Sequence, residues 1–394
     1  MLTVQEAQSQ ILQSLIPLAT KTIALTEAEN RVLAAPIFAN EDFPPFARSA
    51  VDGYAVTAEE VPGTFIISEI IHAGQSPKQP LTPGTCARIF TGAPLPQGAN
   101  SIVMQEEVNA EANQVKISQA HPQMNIRPKG EDYKKGDCLL KKGTPLHAAQ
   151  LAIAASVGQT HLSVFRQPRI AILSTGDELV PPDAIPAPYQ IRDANTLLLK
   201  NLIKKSGGEL LSSHLLPDDY SQLQTHLQQA LTAKADLILF SGGASVGEKD
   251  FTKKLLQENG FHLHFEQINM RPGKPLIFAT RDNISAFGIP GNPVSLLVCF
   301  YLFIQLAIQK MQGIEAKIHF LHSSLGKNFD YSPNLRETYW PARCETTEQG
   351  AELFPLAWKG SGHIASFAYA NALIRIPSGT GPFSKGQPLF WLPL

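Results

Sequence analysis

Cysteine is scarce in this chain: Cys86, Cys138, Cys299 and Cys344 stand far apart, with no C-x-x-C pair. That spacing excludes a disulfide framework and a structural zinc site, and it fits a reducing compartment. An excess of one charge is also lacking, with 33 Lys+Arg against 34 Asp+Glu and a formal net charge of -1. No electrostatic case arises for nucleic acid or an anionic membrane, so any bound anion must be held by local groups. The opening "MLTVQEAQSQILQSL" has no basic segment ahead of an apolar one. Thr3 with Glu6 reads instead as a capping box that starts a helix. The longest apolar run, Val294 to Met311, carries Gln305 and Gln309 and begins at "PGNP". It reads as a buried helix rather than a membrane span. Repeats and low-complexity segments are absent too, and the expectation is a cytoplasmic globular chain with neither a nucleic-acid nor a membrane partner.

What is present is ample core material: 394 residues, 43% hydrophobic and 17% charged, enough for several domains. The first forty residues read as helix. From about Val61 to Asp137, short apolar runs broken by turn residues suggest a small β-rich domain. "HAAQLAIAASVG" reads as another helix. From Pro168 onward strands alternate with helices: "RIAIL", then "ANTLLLKNLIKK" capped by Asn195, "ELLSSHLL", "DYSQLQTHLQQALTAK", "DLILF", "FTKKLLQENG", "FHLHFEQINM", "ISAFGI" and the long apolar helix. That alternation implies a mostly parallel, doubly wound sheet. After Ile318 only strand-like runs remain. The expected α/β multidomain organisation is residues 1–43 with 139–167, a β-rich domain at 44–138, the α/β domain at 168–313 and a C-terminal β-barrel-like domain at 314–394.

In an open parallel sheet, ligands bind beyond the carboxyl ends of the strands. The loops there are "STGDEL", "PDDY", "SGGASVGEKD" and "PGNPVS". Together they gather Asp177, Glu178, Asp218 and Asp250 with two Gly-rich turns and two helix starts. Each loop taken singly reads equally as a turn or a helix cap, and "SGGASVGEKD" lacks the G-K-[ST] ending of a P-loop. Backbone N–H groups and helix N-termini favour an anion, whereas the carboxylates would repel it without a hard cation between them. The combination points to a phosphorylated ligand with Mg²⁺. "NMRPGKPL" adds Arg271 and Lys274, and Ser295 sits in the first turn of the apolar helix. No triad, nucleophile elbow or zinc spacing occurs among the 11 histidines and the remaining nucleophiles.

Taken in order, "PPFARSAVDGYAV", "RIFTGAPLPQGANSIVMQE", "NIRPKGEDYKKGD", "ILSTGDEL", "IRDANT", "SGGASVGEKD", "RPGKP" and "IPGNPVS", with the tail "KGSGHIASFAYANAL", resemble the molybdopterin molybdenumtransferases, bacterial relatives of the gephyrin E domain. The resemblance covers nearly the whole chain. It implies insertion of molybdate into adenylylated molybdopterin with release of AMP, supported by Mg²⁺, in a homodimer whose active site is shared between subunits. It also allows transient contacts with other cofactor-biosynthesis proteins or molybdoenzymes. The catalytic residues it implies are Asp52, Thr91, Glu178, Asp218 and Asp250, the last three also as metal ligands. For the substrate it implies Thr175, Gly176 and Asp193, then Ser241, Gly242, Gly243 and Ser245, then Pro290, Gly291, Asn292 and Pro293. For molybdate it implies Arg271, Lys274, Ser295, Arg336 and Ser361. Gln267 and Pro341 stand where the family often carries a lysine and an arginine. A molybdopterin adenylyltransferase, resembling residues 168–312 alone, and a non-catalytic pterin- or nucleotide-binding scaffold are the competing readings.

Overall fold

The segment from Pro168 to Met311 builds a six-stranded sheet in the order Glu209–Leu216, Arg169–Thr175, Leu237–Ser241, Ile284–Ile289, Pro275–Arg281, His262–Gln267. The first four strands are mutually parallel and the last two pair antiparallel. Central strands read as unbroken apolar runs because both faces are covered. Ile170, Ile172, Leu237 and Leu239 share one core with helices Asn195–Lys205 and Pro293–Cys299. Ala171, Leu173, Ile238 and Phe240 share the other with helices Tyr220–Thr232 and Phe251–Glu258. Phe278, Phe287, Phe300 and Phe303 are fully buried, each stabilising the fold by about 1.5–3 kcal/mol relative to exposure.

A computed structural model describes residues 1–242, 251–348 and 350–394. The chain divides into one unit of Met1–Ala35, Lys142–His147 and His161–Leu394, and another of Pro36–Lys141 and Ala148–Thr160. In the first unit, the capping box forms as expected: Thr3 N–H donates to Glu6 at 2.7 Å, and Glu6 N–H donates to Thr3 Oγ1 at 3.2 Å. The helix covers only Val4–Ser14, which corrects the helical reading of the first forty residues. Pro17 disfavours helix in the residue before it, and the β-branched run Thr20–Ala24 pairs with strand His161–Phe165. A second correction concerns strand Pro275–Arg281, which sits between "FHLHFEQINM" and "ISAFGI" and pairs with both. Its flanking Pro-Gly turn masked the apolar run.

The apolar run is helical from Pro293 to Met311 and mostly buried; among the described residues it is the one helix long and apolar enough to cross a membrane. A π-helical stretch, Phe300–Ile304, interrupts it. Gln8 Nε2 from the N-terminal helix donates to the Leu302 carbonyl there at 3.1 Å, satisfying a group within the irregular ladder. Further on, strands Leu321–Leu325, Glu337–Thr347, Gly350–Pro355, Ala372–Ile376 and Pro388–Pro393 close into a five-stranded barrel. Strand Glu337–Thr347 also takes Met270–Arg271 in parallel register, Arg271 opposite Thr338.

The second unit holds a mixed sheet in the order Ser101–Met104, Gly53–Val56, Thr85–Ile89, Gly63–Ile71, Gln114–Ile117, Asn109–Glu111. Tyr54 and Val56 face one core and Ala55 the other. A Cβ on Gly53 would lie 2.0 Å from the Val103 carbonyl oxygen, so this strand contact demands glycine directly after Asp52. The α/β multidomain architecture therefore holds: a doubly wound sheet, an inserted β-rich part and a C-terminal barrel.

Candidate active site: an acidic crevice and a cationic pocket

Beyond the carboxyl ends of the parallel strands lies a cavity of about 590 Å³. Strand Arg169–Thr175 delivers Thr175, Gly176 and Glu178 to it, and strand Glu209–Leu216 delivers Asp218. Ser241 and Gly242 follow the third strand; Gly291, Asn292 and Pro293 follow the fourth. Gly242 has φ +90°, and a Cβ there would sit 2.4 Å from the Thr175 carbonyl oxygen. Only glycine lets these two loops approach so closely.

The loops are braced by their own polar groups. Asp218 N–H donates to the Asp177 carboxylate at 3.0 Å, so the first acidic loop holds the second. In the pair Asp218-Asp219 the roles separate. Asp219 caps helix Tyr220–Thr232 by accepting Gln222 N–H at 2.8 Å, while Asp218 lines the cavity. The Gln222 backbone N–H and the Ser221 hydroxyl hold the Asp219 carboxyl below its ordinary pKa. Asp193, also on the wall, is buried and accepts Thr196 N–H at 3.0 Å. The N-cap position of helix Asn195–Lys205 is Ala194, which corrects the capping role expected of Asn195. The Asn195 amide instead donates to the Gly291 carbonyl at 2.7 Å and to Ser241 Oγ at 3.4 Å, clamping two of the loops.

A smaller cavity of about 310 Å³ is lined by Arg271, Lys274 and Arg336 together with Pro290, Asn292, Ser295 and Ser361. Strand pairing with Thr338 fixes the Arg271 backbone, and Arg336 reaches the Met270 carbonyl at 3.5 Å. Among the described residues no carboxylate pairs with any of these three cations. Asn292 lines both cavities. Gln267 and Pro341 are in strands, opposite Pro275 and Leu373, and among the described residues neither lines the cationic pocket.

In the second unit, Asp52 accepts two hydrogen bonds on one oxygen, from Thr91 N–H at 2.8 Å and Thr91 Oγ1 at 2.7 Å. The Thr91 backbone N–H, followed by its hydroxyl and the nearby Arg88 charge, holds the Asp52 carboxyl below its ordinary pKa. Such a carboxylate stays ionised and oriented at neutral pH.

Gly243, Ser245 and Asp250 lie outside the described residues. Asn195, Arg192 and Trp358 also line the cavities, and the sequence alone does not mark them as site residues. Asn195 and Arg192 stand within "IRDANT", on either side of Asp193. Trp358 sits in a loop, where no periodicity marks it.

A doubly wound sheet with an acidic crevice at its strand ends, a pocket lined by three cations and additional β-rich parts in the same chain defines a multidomain enzyme of the molybdopterin-binding class. Residues 171–310 match a probable molybdopterin binding domain, residues 2–158 the MoeA N-terminal region (domain I and II), and residues 328–394 the MoeA C-terminal region (domain IV). The chain is 36% identical to the molybdopterin molybdenumtransferase of Nostoc sp., over 95% of this chain and 89% of the relative. It is also 36% identical to that of Haemophilus influenzae, over 98% and 97%. A crystal structure of the molybdopterin biosynthesis MoeA protein from Pyrococcus horikoshii superposes with a TM-score of 0.86 at 28% identity, covering 100% of both chains. A further crystal structure of a molybdopterin biosynthesis MoeA protein from Pyrococcus horikoshii gives 0.80 at 30% identity, covering 100% of this chain and 99% of the other. The chain belongs to the molybdopterin molybdenumtransferase family.

Proposed function

We infer that this chain is a transferase that inserts molybdate into adenylylated molybdopterin, yielding molybdenum cofactor and AMP. The observation that carries this reading is the set Arg271, Lys274 and Arg336, with no carboxylate partner among the described residues, around one small cavity that shares Asn292 with the acidic crevice. Guanidinium, ammonium and hydroxyl donors suit a tetrahedral dianion. The crevice, with its glycine-lined approach and helix start, suits the adenylate phosphates. Asn292, as a common wall, sets the molybdate beside the bond that breaks. A lone molybdopterin-binding domain, as in the adenylyltransferase reading, would account for residues 171–310 only.

Glu178 and Asp218 are oxygen donors that line the crevice, and the described residues contain no cluster of three or more His, Cys, Asp or Glu able to hold a metal. A carboxylate pair that leaves positions for water and phosphate oxygens fits Mg²⁺ rather than a closed zinc site. When bound there, Mg²⁺ supplies charge neutralisation on the diphosphate. Glu178 and Asp218 are its holders, joined in the family pattern by Asp250. Asp52 and Thr91 belong to the same machinery, in a homodimer with a shared active site. Ile185 and Tyr189 support an interface, being 91% and 99% exposed on the segment that leads to the crevice residue Ile191. The four free cysteines support a cytoplasmic setting.

The test is reconstitution. Purified chain, adenylylated molybdopterin, Mg²⁺ and molybdate should activate a cofactor-free molybdoenzyme; no activation, with each component shown competent, overturns the reading.

A further inference from the structure

Trp358 lies in the cationic pocket with Arg271, and the Arg271 guanidinium carbon sits 5.4 Å from the centroid of its ring. Trp358 is 9% exposed, and its indole Nε1 has no hydrogen-bond partner among the described residues. Ring contacts, not hydrogen bonding, therefore set its place. Trp340 meets it edge-on, centroids 4.8 Å apart at 90°, and Trp340 Nε1 is itself anchored to the Leu356 carbonyl at 2.8 Å. Trp340 comes from strand Glu337–Thr347, the strand whose Thr338 lies opposite Arg271. One strand thus fixes the Arg271 backbone by register and, through Trp340, braces the ring that holds its head group.

We infer that Trp358 is a positioning residue for the oxyanion: as a cation–π partner it holds the Arg271 guanidinium in the pocket and leaves its N–H donors available to molybdate. An aromatic ring accepts none of a guanidinium's hydrogen bonds, whereas a carboxylate partner would occupy those donors. Arginine also carries much rotamer freedom, and holding it in place before the anion arrives raises affinity by removing that ordering cost. This inference rests on the oxyanion reading of the pocket.

The test is calorimetric titration of the full chain with molybdate alone. Trp358→Leu should raise the Kd about tenfold, and the series Trp, Tyr, Phe should weaken in that order, by about threefold at Phe. In an Arg271→Ala background Trp358→Leu should add nothing further, because its effect passes through Arg271. A folded Trp358→Leu chain that binds like the wild type, or an equal loss in the Arg271→Ala background, overturns the inference and leaves the pocket reading intact. If Trp358→Leu does not fold, a flat Trp–Tyr–Phe series overturns it. Absence of molybdate binding by the wild type overturns both.

Discussion

The backbone N–H of Val294 donates to the carbonyl of Ser361 at 3.1 Å. This bond ties the start of the apolar helix to the loop Gly360–Gly362, and these two segments together line both cavities. Asn292, two residues before Val294 at the helix N-cap, lines each of them. Asn292→Ala should therefore lower turnover by about ten- to a hundredfold through misplacement of the two substrates. Comparison of kcat with the Kd for molybdate alone checks this; a change in Kd only would limit Asn292 to anion binding.

Lys274→Ala removes from the cationic pocket an ammonium that no carboxylate among the described residues pairs with. A charge-assisted hydrogen bond of this kind contributes about 1.5–3 kcal/mol, so the molybdate concentration at half-saturation should rise about ten- to a hundredfold. An unchanged molybdate dependence would remove Lys274 from the pocket.

Glu178→Gln and Asp218→Asn keep side-chain volume but replace a carboxylate with a neutral amide. Each should reduce AMP release at least about a hundredfold and raise the Mg²⁺ requirement. Circular dichroism should show an unchanged fold, since Asp219, not Asp218, caps the neighbouring helix. Full activity at ordinary Mg²⁺ would place the metal elsewhere.

Gly242→Ala sets a Cβ 2.4 Å from the Thr175 carbonyl in a left-handed backbone position. The two effects should cost about 1–3 kcal/mol, measured by urea unfolding, with the crevice distorted in parallel. An unaltered midpoint would mean that the loops separate without strain.

Much of this site is legible in the sequence because the sheet's chemistry is local. The loops after "RIAIL", "SSHLL", "DLILF" and "ISAFGI" can be read directly, and parallel pairing brings their ends to one edge. Which of two adjacent acids faces the cavity cannot be read: Asp218 and Asp219 have the same cap propensity, and only helix geometry separates them. The strand Pro275–Arg281 was hidden by its own Pro-Gly turn. The helix reading of the N-terminus failed at Pro17, after which Thr20, Thr22 and Ile23 favour strand. Trp358 needed the fold, because its partners Arg271 and Trp340 are distant in sequence.

The Asp52–Thr91 contact should depend on pH in one direction. Its carboxyl has a lowered pKa, so the interaction is fully present above the ordinary carboxylate range and is lost only as pH falls through the lowered value. A carboxyl NMR titration should place the Asp52 midpoint below that of a free aspartate. Thr91→Val, which keeps the backbone donor and loses the hydroxyl, should move it part of the way back. A midpoint unaffected by Thr91→Val would exclude the hydroxyl as a cause.

Bond cleavage in the acidic crevice should await an oxyanion in the cationic pocket. The direct measurement is AMP release from adenylylated molybdopterin with Mg²⁺ while molybdate is titrated. AMP should be negligible without molybdate and should rise saturably with it, one AMP for each cofactor formed. AMP released at the same rate without molybdate, or none at saturating molybdate, would contradict it.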